Sequence, residues 1–109
     1  MTVNELAEKL ELSAICGSLD KTFDGAYAGD LLSRCMSRVE ADCLWITIMA
    51  NVNVIAVATL TEPAAIILAE NVEASEEVIE AANENGITLL SSALGAYELC
   101  WRIHELVGQ

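Results

Sequence analysis

The feature of this sequence that most restricts its fold is a regular alternation of short apolar runs and helical segments, which begins near residue 43. The apolar runs are typical of strands that are buried on both faces. They cover residues 43–48, 64–69 and 87–90. The helical segments run over residues 52–61, from Ser75 through Asn85, and from Ser91 or Ser92 to about Val107. Strands that alternate with helices predict a parallel sheet with right-handed crossover connections.

The residues before this alternation add further elements of the same kind. Thr2 and Glu5 have the spacing of a capping box, which predicts a helix over residues 3–10. Strands are predicted over residues 12–16 and 25–28, and a short helix or irregular turn over residues 31–39. A chain of 109 residues can bury one compact core. The expected fold is α/β, a single domain over residues 1–109 with three α/β/α layers and a mostly parallel five-stranded sheet.

Polar residues and glycines mark the expected ends of the helices. The expected N-caps are Asn51, Ser75, and Ser91 or Ser92, and the expected C-terminal stop is Gly86. Asp30 is expected to cap the short helix, which Leu31 and Leu32 would anchor in the core. Gly25 and Gly29 are expected to let the second strand pass close to its neighbours and then turn.

Charge and hydropathy exclude several classes of function. The chain has 17 acidic and five basic residues, a formal net charge of −12, which opposes binding to nucleic acid and to anionic membranes. Its longest apolar run, residues 64–69, is far shorter than the about 20 residues of a membrane-spanning helix. The acidic N-terminal segment differs from a secretory or transit peptide. We therefore expect a cytoplasmic protein that binds neither nucleic acid nor membranes.

No motif in the sequence indicates catalysis or metal binding. The four cysteines lack the close pairing of zinc ligands and are expected to be free thiols. They are Cys16, Cys35, Cys43 and Cys100. The single histidine, His104, falls late in the last predicted helix, where a solvated side chain is usual. A P-loop and a G-x-G-x-x-G dinucleotide fingerprint are both missing. We predict no catalytic residue, no metal and no cofactor, and hence a protein that is not an enzyme.

The apolar content is higher than one small core requires. Apolar residues make up 54% of the chain, and the mean hydropathy is +0.44. The predicted helix over residues 52–61 is apolar on nearly all sides, which indicates burial on more than one side. The last helix carries two adjacent apolar stripes, formed by Leu94, Tyr97 and Trp101 and by Leu99, Ile103 and Leu106. Both helices favour a homodimer.

Small polar residues follow the predicted parallel strands, at the edge where open α/β sheets bind ligands. Glu70 and Asn71 follow the strand at residues 64–69. The other strand-end residues are Asn51 and Asn53, after residues 43–48, and Ser91 and Ser92, after residues 87–90. Their type fits a ligand pocket, but helix capping alone also accounts for it.

The stretch from Asp20 to Ser33, DKTFDGAYAGDLLS, resembles the signature of the DRTGG domain family. The matching residues are Asp20, Gly25, Tyr27, Gly29, Asp30, Leu31, Leu32 and Ser33. Lys21 replaces the arginine of that motif, and Ala26 replaces its second glycine. The resemblance continues through the WITI and AAIIL strands and the NGITLLSS segment into the last helix, so it extends over nearly the whole chain.

The resemblance implies a regulatory module. The family is similar in fold to the non-catalytic N-terminal domain of HPr kinase/phosphorylase and, more remotely, to a domain of a Mur ligase that binds a uridine nucleotide. It also occurs fused to CBS domains and to phosphotransacetylases. We therefore expect a homodimeric sensor of a nucleotide or other small metabolite, and its predicted pocket consists of Gly29, Asp30, Asn51, Asn53, Ser91 and Ser92. The alternative is a structural protein–protein interaction module with no small-molecule ligand.

Overall fold

The computed structural model describes residues 1–107, which form five helices and five strands. In chain order these are α1 (Val3–Leu10), β1 (Ser13–Cys16), β2 (Ala26–Ala28), α2 (Leu32–Arg38), β3 (Leu44–Thr47), α3 (Val52–Thr61), β4 (Ala65–Leu68), α4 (Glu76–Glu84), β5 (Leu89–Ser91) and α5 (Ala96–Leu106). Every predicted element is present, and the bounds of α1 and α3 agree with the prediction to the residue. The predicted α/β class is confirmed.

The five strands form one sheet, in the order β1-β5-β4-β3-β2. Strands β2 to β5 pair in parallel, and β1 pairs antiparallel with β5. The mostly parallel five-stranded sheet is therefore confirmed. Because the parallel strands follow one another in sequence order, right-handed crossovers place α2, α3 and α4 on the same face.

The two faces of the sheet are covered by different numbers of helices. Helices α2, α3 and α4 cover one face, where they pack against Trp45 and Ile66. Helices α1 and α5 cover the other face, where they pack against Leu44 and Ile67. The central strands β3 and β4 are buried throughout, which is the usual environment of a parallel strand. The predicted three-layer arrangement is confirmed.

Three predicted helix starts are confirmed by their hydrogen bonds. In the capping box, Glu5 N donates to Thr2 Oγ1 at 3.1 Å, and Thr2 N donates to Glu5 Oε1 at 2.9 Å. That backbone bond from Thr2 lowers the pKa of the Glu5 carboxyl. Asn51 and Ser75 each accept a backbone hydrogen bond from the first turn of the helix that they cap. All of these contacts span at most three residues, so the local sequence is sufficient to predict them.

The predicted start of the last helix is wrong. Helix α5 begins at Ala96, and its N-cap is Gly95, which has no side chain to cap it. Ser91 is instead the last residue of β5, where it pairs with β4. Ser92 Oγ accepts a hydrogen bond from Leu94 N at 3.0 Å, within the connecting loop. Pairing with the neighbouring strand outweighs the capping preference of the two serines.

The predicted role of Asp30 as the N-cap of α2 is also wrong. Leu31 occupies the N-cap position, without a side-chain hydrogen bond to the helix. Its side chain is 65% exposed and is not anchored in the core, whereas Leu32 packs against the core as predicted. The Asp30 carboxylate is directed at the end of β3, because two donors there are available to it.

The glycine that permits a close backbone approach is Gly17, and the prediction for Gly25 is wrong. Gly17 has a φ of 94°, and a Cβ atom on it would lie 2.4 Å from Thr88 Cα. A Cβ atom on Gly25 would have no neighbour within 4 Å among residues 1–107. On Gly29 it would lie 2.7 Å from the ring of Tyr27, in the same segment. The restriction at Gly29 therefore comes from a side chain and not from a neighbouring strand.

The sheet and the adjacent helices account for much of the apolar character of α3. Its buried side chains are Val54, Ile55, Val57 and Ala58, whereas Leu60 is exposed. On α5, Leu99 and Ile103 are buried, but Tyr97 is 85% and Trp101 45% exposed. In the part of the chain that the structure describes, no helix has both the length and the apolar character needed to cross a membrane.

Candidate functional site

A small cleft of about 180 Å³ lies at the carboxyl ends of β2, β3 and β4, beside the first residue of α5. Gly29, Asp30 and Thr47 line it from β2 and β3. Glu70 lines it from the loop after β4, and Ala96 from α5. We call this the strand-end cleft. It lies at the edge where parallel sheets bind ligands.

The carboxylate of Asp30 connects the ends of two strands. Its Oδ1 atom accepts hydrogen bonds from Thr47 Oγ1 at 2.7 Å and from Ile48 N at 2.9 Å. Thr47 Oγ1 in turn accepts from Met49 N at 3.1 Å, and the Thr47 side chain is buried. Over residues 1–107, Asp30 Oδ2 has no hydrogen-bond partner. One carboxylate oxygen is thus fixed by the protein, and the other is available to a ligand.

The backbone before Asp30 is fixed by the core. Trp45, which is fully buried, donates from Nε1 to Gly29 O at 3.1 Å. Gly29 N donates to Ile46 O at 3.1 Å. The N–H and the C=O of Gly29 are therefore both hydrogen-bonded within the protein. Gly29 lines the cleft but offers no free backbone group to a ligand. Rigid neighbours of this kind are what hold a binding residue in place.

The opposite wall of the strand-end cleft is a tight turn. Glu70 and Asn71 both adopt the left-handed conformation, with φ of 60° and 59°. Such a backbone is uncommon for residues other than glycine, and two in succession store strain. Glu70 N donates to Leu94 O at 2.9 Å, and Asn71 N donates to Ser92 O at 2.8 Å. These bonds tie the turn after β4 to the loop that leads into α5.

The structure brings two of the six predicted pocket residues, Gly29 and Asp30, to the strand-end cleft. Asn51 is occupied as the N-cap of α3, and the side chain of Asn53 is exposed in the first turn of that helix. Ser91 is half-buried at the end of β5, and Ser92 is buried in the loop that follows. These four residues lie at the same edge of the sheet but do not line the cleft.

Thr47 is the polar residue of this site that the sequence pattern did not reveal. A threonine as the last residue of an otherwise apolar buried strand was the available signal. Its partner, Asp30, lies 17 residues earlier in the chain. The pairing becomes visible only when β2 and β3 are known to be neighbours.

Two larger cavities lie at the other edge of the sheet. One, of about 590 Å³, is lined by Phe23, Asp24, Gly25, Ala26, Ile103 and His104 among others. The other, of about 460 Å³, is lined by Lys21, Asp42, Glu62, Asn85 and Gly86 among others. Lys21 Nζ donates to Gly86 O at 3.5 Å there, so it is distant from the strand-end cleft.

The strand-end cleft has an acidic character. Asp30 and Glu70 line it, and no lysine, arginine or histidine of residues 1–107 does so. Arg102, on α5, is paired with Glu98. None of the four cysteines lines the strand-end cleft, and burial raises the pKa of each thiol. A search of residues 1–107 finds no group of three or more acidic, histidine or cysteine side chains placed to hold a metal ion.

Helices on both faces of a mostly parallel sheet, with the turn between β2 and α2 bonded to the end of β3, define an α/β fold. The chain belongs to the DRTGG domain family, because the model of that family matches residues 5–106. The family resemblance noted from the sequence is confirmed. A comparison with curated proteins finds no match.

A solved structure with a similar fold comes from Clostridium perfringens. It contains the CBS and DRTGG domains of the regulatory region of a pyrophosphatase, in complex with the activator diadenosine tetraphosphate. The TM-score is 0.74 with 13% sequence identity, and the match covers 90% of this chain. The chain spans 44% of the length of that structure, so the likeness concerns one part of it. At this identity the comparison shows the fold.

Proposed function

We propose that this protein is a regulatory, ligand-sensing module without catalytic activity, which acts as a homodimer in the cytoplasm. Membership of the DRTGG family supports the regulatory role, because a DRTGG domain occurs in the regulatory region of the Clostridium pyrophosphatase. The ligand is a nucleotide or another small metabolite. The activator of that pyrophosphatase is a dinucleotide, which supports this class of ligand.

The observation that carries the proposal is the geometry of Asp30. One oxygen of its carboxylate is bonded to Thr47 and to the backbone after β3, Oδ2 has no partner within residues 1–107, and Asp30 lines the cleft. A carboxylate held in this way suits a ligand hydroxyl, as acidic residues suit the ribose hydroxyls of nucleotides in other α/β domains. The proposed pocket extends from Gly29 and Asp30 along the strand ends to Asn51, Asn53, Ser91 and Ser92.

Exposed aromatic side chains support the homodimer. Tyr97 and Trp101 lie one turn apart on the outer surface of α5. A stable interface buries about 800 Å² per partner, against a total surface of 5875 Å² for the described chain. Aromatic residues are enriched in such interfaces. Light scattering at micromolar concentration is expected to give twice the chain mass of 11.7 kDa, and a mass of one chain would contradict the dimer.

The ligand proposal is tested by a thermal-shift screen of nucleosides, nucleotides, diadenosine tetraphosphate and acyl phosphates. We expect at least one of them to raise the melting temperature. Asp30→Asn should abolish that shift, because it weakens the acceptor and changes the bonding to Thr47. Asp20→Asn is the matched control, since Asp20 is also exposed but lies outside the cleft. A shift that survives Asp30→Asn would contradict the assigned site.

One observation favours the alternative, a protein–protein interaction module with no small-molecule ligand. The strand-end cleft, at about 180 Å³, is smaller than the about 300–1,000 Å³ of ordinary small-molecule sites. Exposed apolar side chains follow its lining residues in the chain, at Leu31 and Tyr97. If no compound shifts the melting temperature and a specific protein partner co-purifies with the chain, this alternative replaces the sensor.

A further inference from the structure

One of the two cavities at the edge of the sheet opposite the strand-end cleft lies between α5 and the segment that leads into β2. We call it the α5 cavity. Its volume of about 590 Å³ is more than three times that of the strand-end cleft and falls in the range of small-molecule sites. The space exists because β2 is an outer strand that begins with small, exposed residues, Gly25 and Ala26.

One wall of the α5 cavity is apolar and already packed. Phe23 and Ile103 line it and are themselves buried, so their side chains are held in place by the core. Leu106, one turn after Ile103 on α5, continues the wall. Cys100 contributes a thiol whose pKa is raised by burial, so it remains uncharged at neutral pH. This wall therefore offers an apolar surface to a ligand.

Two polar residues that line the same cavity have no side-chain partner among residues 1–107. Neither the carboxylate of Asp24 nor the imidazole of His104 makes a hydrogen bond or an ion pair within residues 1–107. The backbone around Asp24 is nevertheless fixed, because Asp24 N donates to Asp42 O at 3.1 Å and Gly25 O accepts from Leu44 N at 2.8 Å. The carboxylate is thus presented to the cavity from a well-held strand start.

We propose that the α5 cavity is a second binding site, which takes a small amphipathic amine. The apolar body of the ligand packs on Phe23 and Ile103, and its ammonium group pairs with Asp24. His104 supplies a ring nitrogen at the mouth of the cavity. The net charge of −12 attracts cations to the protein. This site is separate from the strand-end cleft and does not depend on the function proposed for that cleft.

Three probes of matched shape and different charge test the proposal: phenethylamine, 2-phenylethanol and 3-phenylpropionate. Binding is measured by NMR titration of the ¹⁵N-labelled full chain. We expect the amine to bind about fivefold more tightly than the alcohol, which is the upper effect of an exposed ion pair. We expect the carboxylate to bind more weakly than either. The amide signals of residues 23–26 and of the second half of α5 should shift with the amine.

Variants of the cavity distinguish this site from a general surface effect. Gly25→Leu should fill the cavity and abolish binding of the amine and the alcohol. The fold should tolerate it, because a Cβ atom there has no neighbour within 4 Å in the described part of the chain. Ala26→Leu is a second filling variant. Asp24→Asn should reduce the affinity for the amine to about that of the alcohol. Asp20→Asn, which changes the same charge outside the cavity, should change neither affinity.

Equal affinities of the three probes would overturn the proposal. Binding of the amine that survives both filling variants would overturn it as well. If Asp30→Asn abolishes amine binding and Asp24→Asn does not, the amine occupies the strand-end cleft and the α5 cavity is not its site. The function proposed above is tested with nucleotides and acyl phosphates and with the Asp30→Asn variant. Either proposal can therefore fail while the other stands.

Discussion

The two ends of β2 carry the same residues in mirrored order, yet the structure uses them differently. From Asp24 to Asp30 the sequence reads DGAYAGD, which is symmetric about Tyr27. At the later end, the Asp30 carboxylate is bonded to Thr47 and to the backbone after it. At the earlier end, the Asp24 carboxylate has no partner within residues 1–107 and lines the α5 cavity.

The difference arises from the neighbours of β2 and not from its own residues. At the later end, β3 presents a hydroxyl and a free backbone N–H to Asp30, and Trp45 fixes the preceding glycine. At the earlier end, Gly25, Ala26 and residues of α5 line a cavity, and a Cβ atom on Gly25 would contact none of residues 1–107. One family motif thus contributes to two environments, a fixed acidic cleft and an open cavity.

The largest expected effect on stability is a difference between substitutions of Asp30 and of Asp24. Asp30→Ala should lower the free energy of unfolding by about 1 to 2 kcal/mol, because it leaves the buried Thr47 hydroxyl and a backbone N–H without their acceptor. Asp24→Ala should change it by less than about 0.5 kcal/mol, as for other surface substitutions. Urea unfolding of the two variants measures both values. Equal losses would remove the distinction between the two ends of β2.

A double-mutant cycle tests the hydrogen bond between Asp30 and Thr47 at the later end of β2. Thr47→Val keeps the volume of the side chain and removes its hydrogen bond to Asp30. Combined with Asp30→Ala, it should reveal a coupling of about 1 kcal/mol, since the two residues share one bond. Thr47→Ser, which keeps the hydroxyl, is the control and should retain most of the coupling. Additive losses from Asp30→Ala and Thr47→Val would contradict a direct bond in solution.

The sequence predicted those parts of the fold that depend on local signals. The bounds of α1 and α3 follow from the Thr2 and Glu5 capping box and from Asn51, which bond within their own first turns. The start of α5 could not be found in this way. Ser91 and Ser92 are good capping residues, but Ser91 is paired with β4, and that pairing is a tertiary contact.

The candidate site was predictable in location but not in detail. The predicted parallel sheet and the family motif placed Gly29 and Asp30 in the expected pocket, and both residues line the strand-end cleft. The bond from Thr47 to Asp30 joins residues 17 apart and required knowledge of which strands are adjacent. The α5 cavity depends on how far one helix lies from an outer strand, and no local pattern in the sequence reports that distance.

The smallest expected effect on stability is a difference between alanine substitutions of Gly29 and of Gly25. Gly29→Ala should destabilise the protein by about 1 kcal/mol or less, because the new Cβ atom would lie 2.7 Å from the Tyr27 ring, which must move. Gly25→Ala should stabilise it by about 0.5 kcal/mol, since the site is open and alanine restricts the unfolded chain. Guanidinium unfolding resolves the opposite signs. Tyr27→Leu in the Gly29→Ala background should remove the clash and recover the loss. Destabilisation by both alanines to the same extent would mean that the earlier end of β2 is as tightly constrained as the later one.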